Sequence, residues 1–323
     1  MSLVKSILVR TGAVSALIAA TGHKLRILMY HGISPFGLQP ETFERHLRYL
    51  RERFECVWAS QIPEILDGDR DWRKPPLVLT FDDGLRNNLT YAAPLLESYD
   101  VKATFYIVSD LLDGKSMLWN HDLLCRLLLT DEGQLPLEIL PVESDLQGRF
   151  PAISRFVERV KGWDPGRRSE LLESLRRRDP EPEWEPWMLE KYCLMSRQEV
   201  LGLPDNIEIG SHTRTHPILP CLDDDQAREE IEGSRRALES LMGRPVVSFC
   251  YPDGQISDRD ELLAAQAYAV AVSVEEGLAG PNSRRHRLPR IPAAGNLDDF
   301  ELRMIRPGSG GAVPARFPEL QSD

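Results

Sequence analysis

Short apolar runs alternate with longer amphipathic stretches along the first third of the chain. Residues 77–81 (Leu-Val-Leu-Thr-Phe) follow a Pro-Pro pair, and an apolar run after such a turn signal predicts a strand buried on both faces. Residues 26–31 and 101–108 are further runs of apolar and β-branched residues and also predict strands. Residues 88–99, between two of these runs, have apolar residues at helical spacing. The order strand, helix, strand predicts a parallel sheet.

The same alternation returns in the second half of the chain. The clearest helix is predicted for residues 223–242, where apolar residues share one face, aspartates stand at the N-terminus and Gly243 suits the C-cap. The other predicted helices are residues 41–54, 62–66, 196–201, 260–268 and 297–305, and the other predicted strands are residues 56–58, 207–210, 246–250, 270–274 and 288–292. Together these elements predict an α/β fold.

A helical and highly charged stretch, residues 111–193, interrupts this rhythm. It is too long for a plain loop, so we predict that it forms its own helices and packs as an insertion or lid. Four of the six tryptophans in the chain fall inside it: Trp119, Trp163, Trp184 and Trp187. Most of them are expected to pack the core of a small subdomain.

Composition limits the functions that the chain can have. Its 323 residues suffice for one large barrel-type domain with an insertion, or for two modest domains. The net charge of -11 argues against a nucleic-acid partner. The five cysteines are scattered and show no C-x-x-C pairing, which argues against a disulfide framework and a thiolate metal site and favours a reducing compartment.

The N-terminal segment has the features of an amphipathic helix rather than of a signal peptide. Arg10 breaks its apolar run, and the uninterrupted stretch that follows is too short to span a bilayer. We predict that residues 1–24 pack on the domain or make peripheral contact with a membrane surface. A cytoplasmic location is therefore expected in preference to export. The Gly-, Ser- and Pro-containing residues 306–323 predict a weakly ordered tail.

Two adjacent carboxylates follow the strand predicted at residues 77–81. Asp82 and Asp83 stand at its C-terminal end, directly before Gly84. That edge is where α/β sheets and barrels place their chemistry, and adjacent carboxylates repel each other unless a cation or a shared proton relieves them. Asp-Gly is also a common turn dipeptide, so a solvated turn is the alternative.

Two histidines follow the strand predicted at residues 207–210. His212 and His216 are separated by three residues, which suits a metal site in a single turn or loop, although such a spacing also arises by chance. Two imidazoles and one of the carboxylates would make a three-ligand site for Zn²⁺ or a similar ion. The other carboxylate could then act as the general base on water activated by the ion.

These two motifs resemble those of the polysaccharide deacetylases of carbohydrate esterase family 4. Thr-Phe-Asp-Asp-Gly stands at 80–84 and His-Thr-Arg-Thr-His at 212–216. The resemblance implies a distorted (β/α) barrel with about seven strands over residues 25–305, and hydrolysis of an N-acetyl or O-acetyl group on a sugar. It assigns Asp82 as the general base, and it makes Asp83, His212 and His216 ligands of a divalent metal. Zn²⁺ is the expected ion, with Co²⁺ and Ni²⁺ as alternatives.

The chain departs from the family pattern in two places. The third motif, here Cys-Tyr-Pro-Asp-Gly at 250–254, lacks the arginine that steadies the catalytic aspartate, and we expect Arg290 to replace it. The oxyanion is expected to be held by the metal and a backbone N–H near Asp253, with Tyr251 in the same oxyanion and substrate segment. The late histidine motif is also absent. One branch of the family, typified by poly-N-acetylglucosamine deacetylases, resembles this chain in an early Tyr-His, so His31 is the expected general acid; a histidine capping a turn is the alternative.

The resemblance leaves the insertion unassigned, and we expect the insertion to govern substrate choice. One or two of its tryptophans could stack on a sugar, whereas His121 is expected to be a lid contact only. The leading hypothesis is a metal-dependent N-deacetylase acting on an amino sugar of a glycan or of a lipid- or nucleotide-linked precursor. The alternatives are a deformylase or small amidase with the same centre, and a barrel that binds a sugar without hydrolysing it. The sequence makes no prediction of oligomeric state.

Overall fold

A closed parallel barrel forms the centre of the protein. The computed structural model describes residues 18, 20–21, 24–68, 72–136, 139 and 145–305. Seven parallel strands close the barrel, because β3 pairs with β1 on one side and with β4 on the other, while β2 is added to the edge of β3. The strands are β1 (Arg26–Tyr30), β2 (Glu55–Val57), β3 (Pro76–Phe81), β4 (Ala103–Ile107), β5 (Ile207–Ser211), β6 (Ser248–Cys250), β7 (Val270–Glu276) and β8 (Leu288–Pro292). The predicted barrel of about seven strands is confirmed.

Alternation along the strands divides the apolar residues between two cores. On β3, Leu77 and Leu79 pack with the surrounding helices, whereas Val78 points to the barrel interior with Thr80. All six residues of this strand are buried, which explains its nearly continuous apolar sequence. A short helix that contains Ile62 packs against the interior core at the amino end of the strands. This helix does not cover the carboxyl ends of the strands, which form the opposite rim of the barrel.

The helices follow the predicted order and cover the outside of the barrel or form the insertion. They are α1 (Pro40–Arg53), α2 (Ile62–Asp67), α3 (Ala93–Ser98), α4 (Trp119–Leu129), α5 (Leu146–Lys161), α6 (Pro165–Arg178), α7 (Pro186–Tyr192), α8 (Arg197–Leu201), α9 (Asp224–Arg228), α10 (Ser234–Met242), α11 (Asp258–Ala267) and α12 (Leu297–Ile305). Short 3₁₀ turns lie at Ala59–Gln61, Glu132–Gln134, Leu219–Cys221 and Pro252–Gly254. Among the described residues, no helix combines the length and the apolarity needed to cross a bilayer.

Two predicted helices contain wide π turns that periodicity does not indicate. Asn88–Ala92 precedes α3, and Glu229–Gly233 joins α9 to α10 within the helix predicted at 223–242. A Cβ on Gly233 would lie 2.6 Å from the Glu229 carboxylate and 2.9 Å from the Arg214 side chain. The glycine therefore allows this turn to press closely against the loop that carries the two histidines.

The helices α4 to α7 of the insertion build their own apolar core. It includes Leu123, Leu127, Ile153, Phe156 and Trp187, all essentially inaccessible to solvent. Trp119, Trp163 and Trp184 are partly buried against this core. The N-terminal segment and the tail predicted at residues 1–24 and 306–323 lie outside the described residues, apart from residues 18, 20–21 and 24.

Candidate active site

The paired aspartates point in different directions from the end of β3. The register pairs Tyr30 with Phe81, and the Asp82 N–H donates to the Tyr30 carbonyl over 3.0 Å, so β3 continues along β1 for one more residue. Asp83 then adopts φ of +76° and Gly84 φ of +74°. A left-handed aspartate costs on the order of 1–3 kcal/mol. Because Asp83 adopts this conformation, its carboxylate and that of Asp82 contact different partners.

Arg290 on β8 forms a bidentate ion pair with Asp82. Its two terminal nitrogens donate to the two carboxylate oxygens, each over 2.7 Å, and both side chains are buried. Further hydrogen bonds to the Ser273 carbonyl and the Thr80 hydroxyl fix the guanidinium. Burial alone would raise the pKa of the Asp82 carboxyl, but the charge and hydrogen bonds of Arg290 outweigh it and hold that pKa below its usual value. The carboxylate is therefore ionised and rigidly oriented.

Asp83 faces the two histidines that follow β5. The Nε2 atoms of His212 and His216 each lie 3.5 Å from the same Asp83 oxygen, and all three side chains are buried. His212 Nδ1 lies 2.7 Å from the Cys250 carbonyl, which can only accept, so Nδ1 carries the hydrogen and Nε2 is directed to Asp83. One oxygen and two imidazole nitrogens thus converge on one point.

The donor set of this cluster suits a divalent cation. One ligand atom from each of Asp83, His212 and His216 lies within 4.8 Å of the other two. Two histidines and one carboxylate leave further coordination positions open, as in hydrolytic zinc sites. The ligand atoms of a second grouping, Asp82, His212 and Cys250, also lie within 4.8 Å of one another, but Arg290 donates hydrogen bonds to both the carboxylate and the thiol of that grouping. It is therefore a poorer fit for a metal.

Electrostatics favour positive charge at this point. Burial would raise the pKa of the Asp83 carboxyl, but hydrogen bonds to His212 and His216 outweigh it and hold the pKa well below its usual value. Burial would likewise lower the pKa of His212, yet its contacts with Cys250 and the neighbouring carboxylates raise it well above the usual value. A proton on His212 and a cation at the cluster satisfy the same negative charge, so they should compete with each other.

A loop with strained backbone holds the two histidines in place. Thr213 and His216 have φ of +66° and +60°, and the Thr213 hydroxyl accepts a hydrogen bond from the His216 N–H over 3.0 Å. The Glu230 carboxylate accepts from the N–H groups of Arg214 and Thr215 over 2.8 and 3.0 Å. Strain that surrounding hydrogen bonds over-determine is typical of functional sites. The wide turn at Glu229–Gly233 positions this carboxylate.

The other predicted residues divide between the rim and the protein interior. His31 directly follows β1 and is exposed. Its charge is one of the influences that lower the pKa of the Asp82 and Asp83 carboxyls. Asp253, also at the rim, has φ of +51°, and its N–H donates to no acceptor in the described part of the chain. Tyr251 is different, because its N–H donates to the Val272 carbonyl and its buried hydroxyl donates to the His286 carbonyl. The N–H and the hydroxyl of Tyr251 thus both donate to carbonyls of the protein, so neither group is free to contact the oxyanion as predicted.

Several residues beside the site were not predicted from the sequence. Glu230 braces the histidine loop, and the Cys250 carbonyl fixes the tautomer of His212. From the insertion, Trp119 Nε1 donates to the His216 carbonyl over 3.2 Å, and Lys161 Nζ lies 2.8 Å from an Asp253 oxygen. No local spacing indicates these contacts, because each joins elements far apart in sequence. The grouping Trp-Asn-His at 119–121, where the sequence predicts a lid contact for His121, points to this part of the insertion but not to the contacts themselves.

The fold and the site define a (β/α) barrel with a carboxylate–dihistidine cluster at its rim. The family described as polysaccharide deacetylase matches residues 69–126 and 190–272, which include both aspartates and both histidines and leave out most of the insertion. YxkH of Bacillus subtilis (strain 168), named as a polysaccharide deacetylase, is 32% identical over 104 residues. That match spans 31% of this chain and only 36% of the relative.

Solved structures of low sequence identity share the fold. The Streptococcus pyogenes deacetylase PplD, determined in complex with acetate, is 18% identical with a TM-score of 0.59, covering 88% of this chain and 99% of its own. IcaB from Ammonifex degensii is 14% identical with a TM-score of 0.57, covering 88% and 96%. The family match over residues 69–126 and 190–272, together with the two complete motifs that lie inside it, identifies these segments as a polysaccharide deacetylase domain.

Proposed function

We propose that the protein is a metal-dependent hydrolase that removes an N-acetyl group from an amino sugar of a glycan or glycan precursor. One observation carries the proposal. The cluster of Asp83, His212 and His216 lies directly beside Asp82, whose carboxylate the buried Arg290 keeps ionised. A cation site next to a fixed carboxylate base is the arrangement that hydrolysis by activated water requires.

The cluster would hold one divalent cation, with Zn²⁺ expected and Co²⁺ or Ni²⁺ as alternatives. Asp83 would supply an oxygen, and His212 and His216 would each supply Nε2. When bound, such an ion lowers the pKa of water and polarises the substrate carbonyl. The hydrogen bond from His212 Nδ1 to the Cys250 carbonyl orients that ring and increases its basicity as a ligand.

The protein side chains would move the protons of the reaction. Asp82 accepts a proton from the attacking water as the new C–O bond forms. His31, beside Asp82 at the end of β1, donates a proton to the amide nitrogen as the C–N bond breaks. Acetate and the free amine are the products. Arg290 does not exchange protons and serves to orient Asp82.

The rim after β6 would stabilise the negative charge that develops on the carbonyl oxygen. The left-handed conformation of Asp253 leaves its N–H without an acceptor in the described residues. A backbone N–H at such a point is a suitable oxyanion donor. The neighbouring Gly254 keeps the turn tight, since a Cβ there would lie 2.0 Å from Val274.

Product analysis with defined substrates tests the proposal. Protein stripped of metal and reloaded with Zn²⁺ should release acetate from an N-acetylglucosamine oligosaccharide and leave one free amine for each acetate. Asp82→Asn, nearly isosteric, should lower this turnover by roughly 10²–10⁴-fold, the usual contribution of a general base. Absence of acetate release by the loaded wild type would contradict the proposal. Faster release of formate from the N-formyl analogue would instead support the deformylase alternative, and binding without release would support a sugar-binding barrel.

A further inference from the structure

The start of helix α4 brings two residues of the insertion, Trp119 and His121, near the site. Trp119 is tied to the histidine loop by the hydrogen bond from its Nε1 to the His216 carbonyl. Asp122, one residue past His121, is directed elsewhere and pairs with Arg126 and Arg176 over 2.6 and 2.7 Å. The helix is therefore anchored on both sides of His121, so the position of that residue is set by its neighbours.

His121 has no part in the proton transfers described above. Its ring contacts Tyr192 at a centroid distance of 4.5 Å, and its Nδ1 is buried without a hydrogen-bond partner in the described residues. A buried ring nitrogen without a partner is costly unless a ligand or water satisfies it. The negative charge of Asp83 opposes the effect of burial on the pKa of His121, so the ring lies within electrostatic range of the cluster.

The surroundings of His121 suit hydrogen bonding to an uncharged ligand. Burial lowers the pKa of His121 to about 4, despite the opposing effect of the Asp83 charge. One ring nitrogen then donates and the other accepts near neutral pH. Sugar hydroxyls and acetamide groups match this pair of functions, because each can donate and accept in turn.

We propose that His121 is a substrate-contacting residue, supplied by the insertion, that hydrogen-bonds the sugar held against the cluster of Asp83, His212 and His216. This inference rests on the proposed function and extends it by assigning part of the recognition of the sugar to the insertion. A site that hydrogen-bonds a polar ligand discriminates strongly against ligands that lack the matching group. A small acetyl ester without a sugar should therefore not depend on His121.

The test compares His121→Ala with the wild type on two substrates. The kcat/KM for an N-acetylglucosamine oligosaccharide should fall roughly 10–100-fold, and that for 4-nitrophenyl acetate by less than about 3-fold. Metal content should be unchanged. His121→Asn, which retains a donor and an acceptor, should recover part of the loss. His286→Ala is the matched control, because that residue lies before β8 at the amino end of the barrel.

The possible outcomes separate this inference from the proposed function. Equal loss on both substrates, or loss of metal, would show that His121 only supports the fold of the site. Oligosaccharide turnover unchanged in His121→Ala would overturn the assignment of His121 while leaving the deacetylase proposal intact. A loaded wild type that neither binds nor hydrolyses the oligosaccharide would instead overturn the proposed function. Oligosaccharide binding in an Asp82→Asn background measures the contact independently of turnover, with weaker binding expected when His121→Ala is added.

Discussion

The barrel rim and the insertion are both built around buried apolar cores, but they contribute polar groups to the site in different ways. At the rim, Asp82, Asp83 and His212 stand one or two residues beyond paired strands, so main-chain register fixes them. The insertion instead reaches the site through side-chain contacts, chiefly those of Trp119 and Lys161. Main-chain register thus positions these rim groups, and the insertion adds side-chain contacts to the histidine loop and to the turn after β6.

This difference suggests a division of labour. The polar groups of the rim are buried and bonded to one another, as the two hydrogen bonds from Arg290 to Asp82 illustrate. In the insertion the His121 ring is less committed, because it is only partly buried and its Nδ1 has no hydrogen-bond partner in the described residues. We therefore expect changes at the rim to abolish chemistry and changes in the insertion to alter selectivity or affinity.

The largest effect is expected from Arg290→Met. It would leave the Asp82 carboxylate buried without its partner, a change that typically costs about 3–5 kcal/mol of stability. Turnover should fall roughly 10²–10⁴-fold, because the general base loses its orientation. Denaturant unfolding and steady-state kinetics measure the two effects. Arg287→Met, which removes an exposed pair with Glu275, is the control and should change neither by much. Near-normal turnover in Arg290→Met would contradict the role given to this ion pair.

His31→Ala should separate two kinds of substrate. An amine leaves poorly unless protonated, so loss of the general acid should slow amide hydrolysis roughly 10²–10³-fold. The 4-nitrophenolate of an activated ester leaves without a proton, and its release should change by less than about 3-fold. Metal content, measured in parallel, should stay at the wild-type value. Full amide turnover in this variant would assign the acid to another group.

Lys161→Met tests the contact between the insertion and the rim turn. The ammonium of Lys161 pairs with Asp253, whose N–H is the proposed oxyanion donor, and both side chains are mostly buried. We expect kcat to fall by roughly 10-fold with KM less affected, since a misplaced donor weakens mainly the transition state. Lys115→Met, an exposed position of the same insertion, is the control. A double-mutant cycle with Asp253→Asn should show strong coupling, and additive losses would argue against the pair.

The smallest effect is expected from Trp119→Phe. This change keeps an aromatic ring in the partly buried position and removes the hydrogen bond to the His216 carbonyl. A single neutral hydrogen bond contributes about 0.5–1.5 kcal/mol, so the metal dissociation constant should rise about 2–10-fold. Competition with a chromophoric chelator measures that constant. An unchanged value would mean that the barrel alone positions the loop.

The barrel and the cluster of Asp83, His212 and His216 could be predicted because short segments of the sequence indicate them. A buried strand has an apolar run of sequence, and the residues that follow parallel strands lie at the same edge of the sheet. The sequence alone therefore predicts that Asp83 and His212 lie close together. The expected pairing of Arg290 with Asp82 follows from the family resemblance, because the third motif of this chain lacks the arginine that steadies the catalytic aspartate. The structure places those two side chains in direct contact.

The remaining contacts could not be predicted because they depend on three-dimensional packing. Asp and His adopt a left-handed backbone more often than most residues, but residue type alone does not assign that conformation to Asp83 and His216. The π turn that positions Glu230 has the same apolar periodicity as an ordinary helix. The sequence predicts Tyr251 at the oxyanion, yet the turn after β6 buries its ring and leaves Asp253 at the rim. His121 is predicted only as a lid contact, because the path of the insertion over the barrel leaves no local signal.

The measurement that tests the account most directly is the metal content of the purified protein together with its hydrolytic rate. The wild type should bind about one divalent ion per chain, as a single cluster of three ligands requires. Its acetyl hydrolysis should be lost on chelation and restored by Zn²⁺, Co²⁺ or Ni²⁺. His216→Ala should bind the ion weakly and remain inactive at the same metal concentration. A wild type that holds no metal, and whose rate is insensitive to chelators and to all three ions, would contradict the account.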